Sequence, residues 1–237
     1  MADIFRFKQF SVDQSGCAMK INTDGVLLGA LVQADDPQNI LDVGTGTGVI
    51  ALMLAQRFID AQIDAVEIDK AAAQTAGANF KNSVFSNRLA VYHESFESFF
   101  NAHQERKYNL IVANPPFYIN SLESPKAKKT VAKHTDKDFF EVLIKHIAGH
   151  LTEDGICWLI LPLETSTLVK TIAEQVQLYP QKIISVYSFK NSEPHREIVC
   201  FGRDNKQQAN EQFIIYDEPK VYSKLYQDTL KDFFTIF

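Results

Sequence analysis

The sequence has few cysteines and no long apolar run. Its three cysteines, Cys17, Cys157 and Cys200, are widely spaced and form no CxxC or Cys/His cluster, so neither a disulfide framework nor a metal site is expected. No apolar run reaches the roughly eighteen residues that a membrane-spanning helix needs. The start, MADIFRFKQF, lacks the basic and then apolar pattern of a secretory signal. We therefore expect a cytoplasmic protein.

The chain also lacks an excess of positive charge. Its net charge is −5, which argues against a protein that coats nucleic acid without specificity. A length of 237 residues with 46% hydrophobic and 11% aromatic residues suits one folded domain. We expect an N-terminal extension over a cofactor site in 1–38, a core in 39–203 and an added strand and helix in 204–237. No obligate protein partner is evident.

Short apolar runs alternate with helical patterns along the chain. Strands are predicted at Asn39–Val43, Ile63–Glu67, Leu89–His93, Tyr108–Ala113, Gly155–Leu161, Lys182–Tyr187 and Ile198–Gly202. Helices are predicted at Val49–Arg57, Lys70–Phe80, Asp138–Leu151, Glu164–Leu178 and Ser223–Phe234, with Asp136 and Asp138 as possible N-caps of the third. This alternation predicts an α/β fold with a mostly parallel, doubly wound sheet. Ligands bind such sheets at the carboxyl ends of the strands.

A glycine-rich turn follows the first core strand and opens a helix. It reads Asp42-Val-Gly44-Thr45-Gly46-Thr-Gly48, and the next strand ends at Glu67, followed by Ile68. Glycines allow close backbone approach, and a carboxylate at Glu67 can accept the ribose hydroxyls of an adenosine cofactor. The loop by itself is also compatible with a dinucleotide. However, Asp42 would repel a pyrophosphate and attract the ammonium group of a methionine moiety.

The third strand leads into a turn that would meet the adenine ring of such a cofactor. There Ser95 can hydrogen-bond the adenine edge and Phe96 can cover its face.

The fourth strand is followed by the tetrapeptide Asn114-Pro115-Pro116-Phe117. The amide oxygen of Asn114 and the carbonyl of Pro115 can accept two N–H groups from a planar amino group, which directs its lone pair towards a methyl donor. The prolines fix the backbone, and Phe117 can stack on a planar acceptor. The motif predicts methylation of a planar NH2 group, and it does not distinguish adenine N6, cytosine N4 and glutamine amide.

Basic residues follow this motif. Lys126, Lys128, Lys129 and Lys133 form a positive stretch on an acidic protein, which favours phosphate contacts, and His195 with Arg196 could add another. His146 and His150 are spaced as two metal ligands on a helix, but no third ligand is evident.

Together, LDVGTGTG, VEID and NPPF resemble class I methyltransferases of the N6-adenine and N5-glutamine type. FKQF, AMKINTDGVLLG, Pro194-His195-Arg196 and the C-terminal aromatic residues resemble the bacterial family that methylates the adenosine 3′ to the anticodon of a valine tRNA. The resemblance implies a Rossmann-like, seven-stranded sheet with one antiparallel strand near the C-terminus, S-adenosylmethionine as cofactor and tRNA as substrate. It also implies that Lys20 and Thr23 lie over the methionine end of the cofactor. Relatives tend to have an acidic residue where Ser95 stands.

Three other functions compete with this one. A protein glutamine-N5 methyltransferase shares the core motifs but usually has a separate N-terminal helical domain, for which residues before Asp42 leave little room. A nicotinamide oxidoreductase predicts a GxGxxG loop and does not explain NPPF. A non-catalytic RNA-binding module would have no need of Asn114 and Glu67.

Overall fold

The computed structural model describes residues 3–115, 128–205 and 207–237, with only the backbone of 128–136. Its strands are β1 Ile4–Arg6, β2 Ser11–Asp13, β3 Asn39–Val43, β4 Gln62–Glu67, β5 Leu89–His93, β6 Tyr108–Ala113, β7 Leu151–Leu161, β8 Tyr179–Phe189, β9 Pro194–Gly202, β10 Ala209–Glu218 and β11 Val221–Tyr222. Its helices are α1 Thr23–Leu31, α2 Val49–Arg57, α3 Lys70–Lys81, α4 Phe96–Ala102, α5 Lys128–His150, α6 Leu163–Gln175 and α7 Lys224–Leu230.

One large sheet organises the described residues. Nine strands lie in the order β11-β10-β8-β9-β7-β6-β3-β4-β5, while β1 and β2 form a separate hairpin. The pairs from β7 through β6, β3 and β4 to β5 are parallel, whereas β9 is antiparallel to both β7 and β8. The α/β class with a mostly parallel sheet is therefore confirmed. The predicted seven strands are β3–β9, and β10 and β11 of the C-terminal addition extend the sheet.

Helices cover both faces of this sheet because its central strands are apolar on both sides. In β3, Ile40 and Leu41 are both fully buried, yet they belong to two different apolar clusters, since successive strand residues point to opposite faces. Residues of α1, α2, α3 and α7 join the first cluster, and residues of α4, α5 and α6 join the second. No helix in the described part of the chain is both long and apolar enough to cross a membrane.

Three helix ends differ from the sequence prediction by three residues or more: the start of α5, the end of α7 and the end of α6, which lies at Gln175 instead of Leu178. Helix α5 begins at Lys128, so Asp136 and Asp138 lie inside it and the prediction that they are N-caps was wrong. The segment before Asp138 is polar and has no apolar periodicity, which is why the pattern did not indicate it. Helix α7 ends at Leu230 instead of Phe234, and the hydroxyl of Ser223 caps its start.

Helices α1 and α4 were not predicted. Residues Gly25 to Gly29 of α1 are all buried, so the segment has no polar stripe to reveal a helical period. Its start is fixed by Asn22, whose side-chain oxygen accepts a hydrogen bond of 2.9 Å from the Gly25 backbone N–H. This cap positions the first turn of α1, which lies beside the candidate site described next.

Candidate active site

The loops that follow β3, β4, β5 and β6 surround one cavity of about 420 Å³. Register brings them together, because Val43 pairs with Val66 on one side and with Ala113 on the other. The chain reverses its strand order between β3 and β6, so the cavity lies at the switch point where open α/β sheets bind ligands.

Three glycines of the first loop adopt left-handed backbone conformations, with φ of 73° at Gly44, 56° at Gly46 and 84° at Gly48. Side chains on Gly44 and Gly46, which line the cavity, would meet no protein atom within 4 Å. The space beside them is therefore open to a ligand. Gly48 has a packing role instead, since a Cβ there would lie 2.5 Å from a ring carbon of Phe80.

Glu67 ends β4 at the cavity wall and is almost completely buried. One carboxylate oxygen accepts from the Gly46 N–H at 2.9 Å, and the other accepts from the Asp69 N–H at 2.8 Å. These two bonds fix the carboxylate against the glycine loop. Because each oxygen can accept more than one bond, Glu67 is suited to hold a pair of ligand hydroxyls.

Asp42 lies behind the loop and is fully buried. Thr45 donates a hydrogen bond of 2.6 Å to its Oδ2, while Oδ1 has no hydrogen-bond partner among the described residues. Burial raises the pKa of this carboxyl to about 7, against the weaker lowering effect of the Thr45 bond. Asp42, Thr45 and Gly48 are not among the described residues that line the cavity, so their predicted role in cofactor binding is indirect and stays a prediction.

An aromatic wall closes the far side of the cavity. Phe96 lies against Phe139 of α5 with ring centroids 5.5 Å apart and an edge-to-face angle of 85°. Ser95 and Ile68 also line the cavity, and the Ser95 oxygen caps α4 by accepting from the Ser98 N–H at 3.1 Å. Phe139 was missed by the sequence reasoning because its ring lies beside the predicted apolar stripe of α5. Such a wall suits a flat, apolar ring.

Asn114 and Pro115 follow β6 and line the same cavity. The Asn114 side-chain oxygen is buried and has no hydrogen-bond partner among the described residues. Its amide nitrogen lies beside the first turn of α1, 3.7 Å from where a Cβ on Gly25 would stand. Buried acceptors are usually hydrogen-bonded, so this oxygen in the cavity wall is suited to accept a hydrogen bond from a ligand N–H group. Pro116 and Phe117 lie outside the described residues.

The residues of the N-terminal extension that line the cavity differ from the predicted Lys20 and Thr23. Cys17, Ala18 and Met19 line the cavity. Lys20 instead forms an ion pair with Asp3, and Thr23 lines a second pocket, so neither is among the described residues around the cavity. Met19 is 53% exposed and could not be singled out, because an isolated exposed methionine carries no pattern.

The predicted RNA contacts stay predictions. Arg196 lies at the start of β9 and pairs with Asp24 of α1 at 2.8 Å, and burial lowers the pKa of the adjacent His195. This pair joins β9 to the first turn of α1. Lys126 lies outside the described residues, as do the side chains of Lys128, Lys129 and Lys133 on α5.

His146 and His150, for which no third metal ligand was evident in the sequence, have a packing role. His146 stacks on Phe100 with centroids 5.3 Å apart, and the Nδ1 of His150 lies 2.8 Å from the His146 carbonyl oxygen.

Comparison with known proteins agrees with this geometry. Residues 17–182 match the model of the methyltransferase small domain. The chain belongs to this methyltransferase family. It is 46% identical to the tRNA1(Val) (adenine(37)-N6)-methyltransferase of Pedobacter heparinus over the whole of both chains. It is 42% identical to the protein of the same name from Flavobacterium psychrophilum, over 98% of this chain and 99% of the relative.

A solved methyltransferase structure has the same fold as this chain. A predicted O-methyltransferase from Agrobacterium tumefaciens superposes with a TM-score of 0.69 at 15% identity, covering 89% of this chain and 96% of that one. The family model and the two relatives confirm the family resemblance inferred from LDVGTGTG, VEID and NPPF. Membership of this family implies S-adenosylmethionine as the methyl donor.

Proposed function

We propose that this methyltransferase transfers a methyl group from S-adenosylmethionine to the N6 amino group of an adenine in tRNA, the adenosine 3′ to the anticodon of a valine tRNA. The observation that carries the proposal is the buried side-chain oxygen of Asn114 in the cavity wall, which has no hydrogen-bond partner among the described residues. The full-length similarity to relatives of that name supports the choice of tRNA as substrate.

The residues present fit S-adenosylmethionine. Glu67 would hold the ribose hydroxyls, the wall of Phe96 and Phe139 would cover the adenine, and the open space beside Gly44 and Gly46 would admit the methionine part. Asp42, behind the loop, would favour the positive ammonium group through space. When bound, the cofactor supplies an electrophilic methyl group on a sulfonium.

The acceptor is held by groups of the chain itself. The Asn114 oxygen and the Pro115 carbonyl accept hydrogen bonds from the amino group, which turns its lone pair out of conjugation with the ring. As positive charge grows on the nitrogen, both bonds become stronger, and this stabilises the transition state more than the bound substrate. No base has to remove a proton before transfer, because the proton can leave afterwards.

The alternatives explain less. An oxidoreductase would need a group that takes part in hydride transfer. It would also give no role to the buried side-chain oxygen of Asn114, which has no hydrogen-bond partner among the described residues. A glutamine-N5 methyltransferase would use the same Asn114 oxygen to accept hydrogen bonds from the glutamine amide. The choice between adenine and glutamine therefore requires an assay with both kinds of substrate.

The test is incubation with labelled S-adenosylmethionine and either total tRNA or a protein extract, followed by nucleoside and amino-acid analysis. We expect label in N6-methyladenosine from tRNA. Label in protein glutamine, or in no product, would refute the proposed function.

Asn114 variants test the mechanism. We expect Asn114→Ala to lower single-turnover methylation by about 100-fold or more, because a transition-state contact is lost. Asn114→Asp should retain more activity than Asn114→Ala, since a carboxylate still accepts hydrogen bonds. Asn87→Ala, which removes an exposed amide elsewhere, is the matched control. Wild-type turnover in Asn114→Ala would show that this residue is only structural.

A further inference from the structure

One buried side chain joins the N-terminal extension to the glycine loop, residues 44–48. Asn79 lies near the end of α3, is only 4% exposed and is not among the described residues that line the cavity. Its amide nitrogen donates a hydrogen bond of 2.9 Å to the carbonyl of Thr47, which is itself buried in the glycine loop. The same side chain also bonds β2, so it connects two segments that are far apart in the sequence.

The contact of Asn79 with β2 resembles the pairing of a neighbouring strand. The side-chain oxygen of Asn79 accepts from the Asp13 backbone N–H at 2.9 Å, and its amide nitrogen donates to the Asp13 carbonyl at 2.9 Å. With the bond to Thr47, both N–H groups of the amide have an acceptor. A smaller side chain at this position would take these partners from the backbone of Asp13 and from the buried carbonyl of Thr47.

The segment that follows β2 forms part of the cavity wall. This N-terminal loop comprises residues 14–22, and three residues in its middle line the cavity: Cys17, Ala18 and Met19. The hydroxyl of Thr75 on α3 donates to the Ser15 carbonyl at 3.1 Å, and the Ile21 N–H donates to the side-chain oxygen of Gln14 at 2.7 Å. The position of this loop therefore depends on how β2 and the loop itself are bonded to α3.

Asn79 thus connects two walls of one cavity. The glycine loop lines it with Gly44 and Gly46, and the N-terminal loop lines it with the three residues named above. The family match begins at residue 17, so β2, which Asn79 holds, precedes the matched domain. A ligand that contacts both loops binds more tightly when their relative position is fixed beforehand, because less order has to be gained on binding.

We propose that Asn79 is a positioning residue for the cofactor, which holds the N-terminal loop against the glycine loop so that both contact S-adenosylmethionine. The inference rests on the proposed function, which assigns this cavity to S-adenosylmethionine. Without the Asn79 bonds, the N-terminal loop is displaced for part of the time. The apparent Kd then rises by the inverse of the fraction of protein that has both loops in place.

Binding and kinetics measure this effect. We expect Asn79→Ala and Asn79→Asp to raise the Kd and the KM for S-adenosylmethionine by about 10-fold, because both variants lose the N–H donors of the amide. The kcat for tRNA at saturating cofactor should stay near the wild-type value, since the groups that hold the acceptor are unchanged. Calorimetry gives the Kd, and steady-state methylation gives the KM and the kcat.

Asn109→Ala is the matched control for lost stability. The Asn109 side-chain oxygen accepts from the backbone N–H groups of Gln38 and Asn39, at 3.1 Å and 3.0 Å, where β3 and β6 begin. The cavity lies at the other ends of these strands, beyond Val43 and Ala113. This variant should lower the free energy of unfolding and leave the Kd for S-adenosylmethionine unchanged.

Thiol labelling reports the position of the N-terminal loop without measuring activity. All three cysteines are buried, but Cys17 lies in the N-terminal loop, whereas Cys157 and Cys200 lie in β7 and β9. We expect N-ethylmaleimide to modify Cys17 faster in Asn79→Ala than in wild type or Asn109→Ala, while Cys157 and Cys200 stay unmodified. S-adenosylmethionine should slow the modification of Cys17 in wild type, a measurement that needs no variant.

Several results would overturn the role of Asn79. These are wild-type affinity in both Asn79 variants, equally fast labelling of all three cysteines in Asn79→Ala, a Kd raised as much by Asn109→Ala, or wild-type Cys17 that bound S-adenosylmethionine does not protect. In each case wild type still binds S-adenosylmethionine and methylates tRNA, so the proposed function stands. If wild type binds no S-adenosylmethionine, the proposed function itself has failed.

Discussion

The buried carboxyl of Asp42 should make the stability of this protein depend on pH. In the unfolded chain it ionises near its ordinary pKa of 3.8, whereas in the folded protein burial raises the pKa to about 7. Between these values the folded state holds a proton that the unfolded state has lost. Stability contributed by this group is therefore greatest below pH 3.8 and falls as the pH rises to about 7.

The size of the effect follows from the pKa. At about 1.4 kcal/mol for each tenfold change in proton affinity, the rise from 3.8 to about 7 corresponds to about 4 kcal/mol in total. About 3 kcal/mol of it falls between pH 5 and pH 8, a range in which the protein is convenient to handle. Asp42→Asn removes the ionisation and keeps an acceptor for Thr45.

Urea unfolding of wild type and Asp42→Asn at pH 5 and pH 8 measures this effect. Any cost of the substitution that does not depend on pH cancels when the two pH values are subtracted. The contributions of histidines, which do depend on pH, cancel when the variant is compared with wild type. We expect wild type to lose about 3 kcal/mol more than the variant between the two conditions. An equal loss in both proteins would show that Asp42 is already ionised at pH 5.

The affinity for S-adenosylmethionine should change with pH in the direction opposite to the stability. An ionised Asp42 attracts the ammonium group, so the affinity of wild type for S-adenosylmethionine should rise towards pH 8, with release of a proton on binding near pH 6. Asp42→Asn should bind more weakly and without this dependence. Calorimetry in two buffers of different ionisation enthalpy would detect the proton, and its absence would remove Asp42 from the cofactor site.

Three further perturbations test other parts of the site. Glu67→Ala should weaken S-adenosylmethionine binding by about 1.5–3 kcal/mol in calorimetry, with Glu153→Ala as control; unchanged affinity would exclude Glu67. Gly48→Ala should lower the free energy of unfolding by at least about 2 kcal/mol through its φ of 84° and its clash, whereas Gly149→Ala, with open space around it, should not. Neutralising Lys126, Lys128, Lys129 and Lys133 should flatten the salt dependence of tRNA binding by about 0.7 per phosphate contact; an unchanged slope would argue against contact.

The sequence was most informative for the buried strands and for the polar residues at their ends. The apolar strands of the core were predicted close to their observed places, because strands buried on both faces need continuous apolar residues. Glu67 and Asn114 could be chosen since Glu67 is the last residue of such a strand and Asn114 directly follows one. The cavity lining at Phe139 and Met19 could not, because it depends on how α5 and the N-terminal extension pack.

The terminal segments were the hardest to predict. Helix α1 has no polar stripe, and strands of three residues such as β1 and β2 are too short to show a period. The pairing of Lys20 with Asp3 also depends on tertiary structure alone. The N-terminal segment is therefore the part of the chain whose structure has the weakest local signal in the sequence.

The pairing of β3 with β6 has a consequence for how such an enzyme can change. The glycine loop and Asn114 leave adjacent strands whose last residues, Val43 and Ala113, are paired in register. In the proposed function, the loop that holds the methyl donor and the residue that holds the acceptor are thus positioned by two neighbouring backbones, which lie about 4.8 Å apart. Evolution, or an engineer, can therefore exchange the surrounding segments to recruit a new acceptor while the alignment needed for transfer is inherited unchanged.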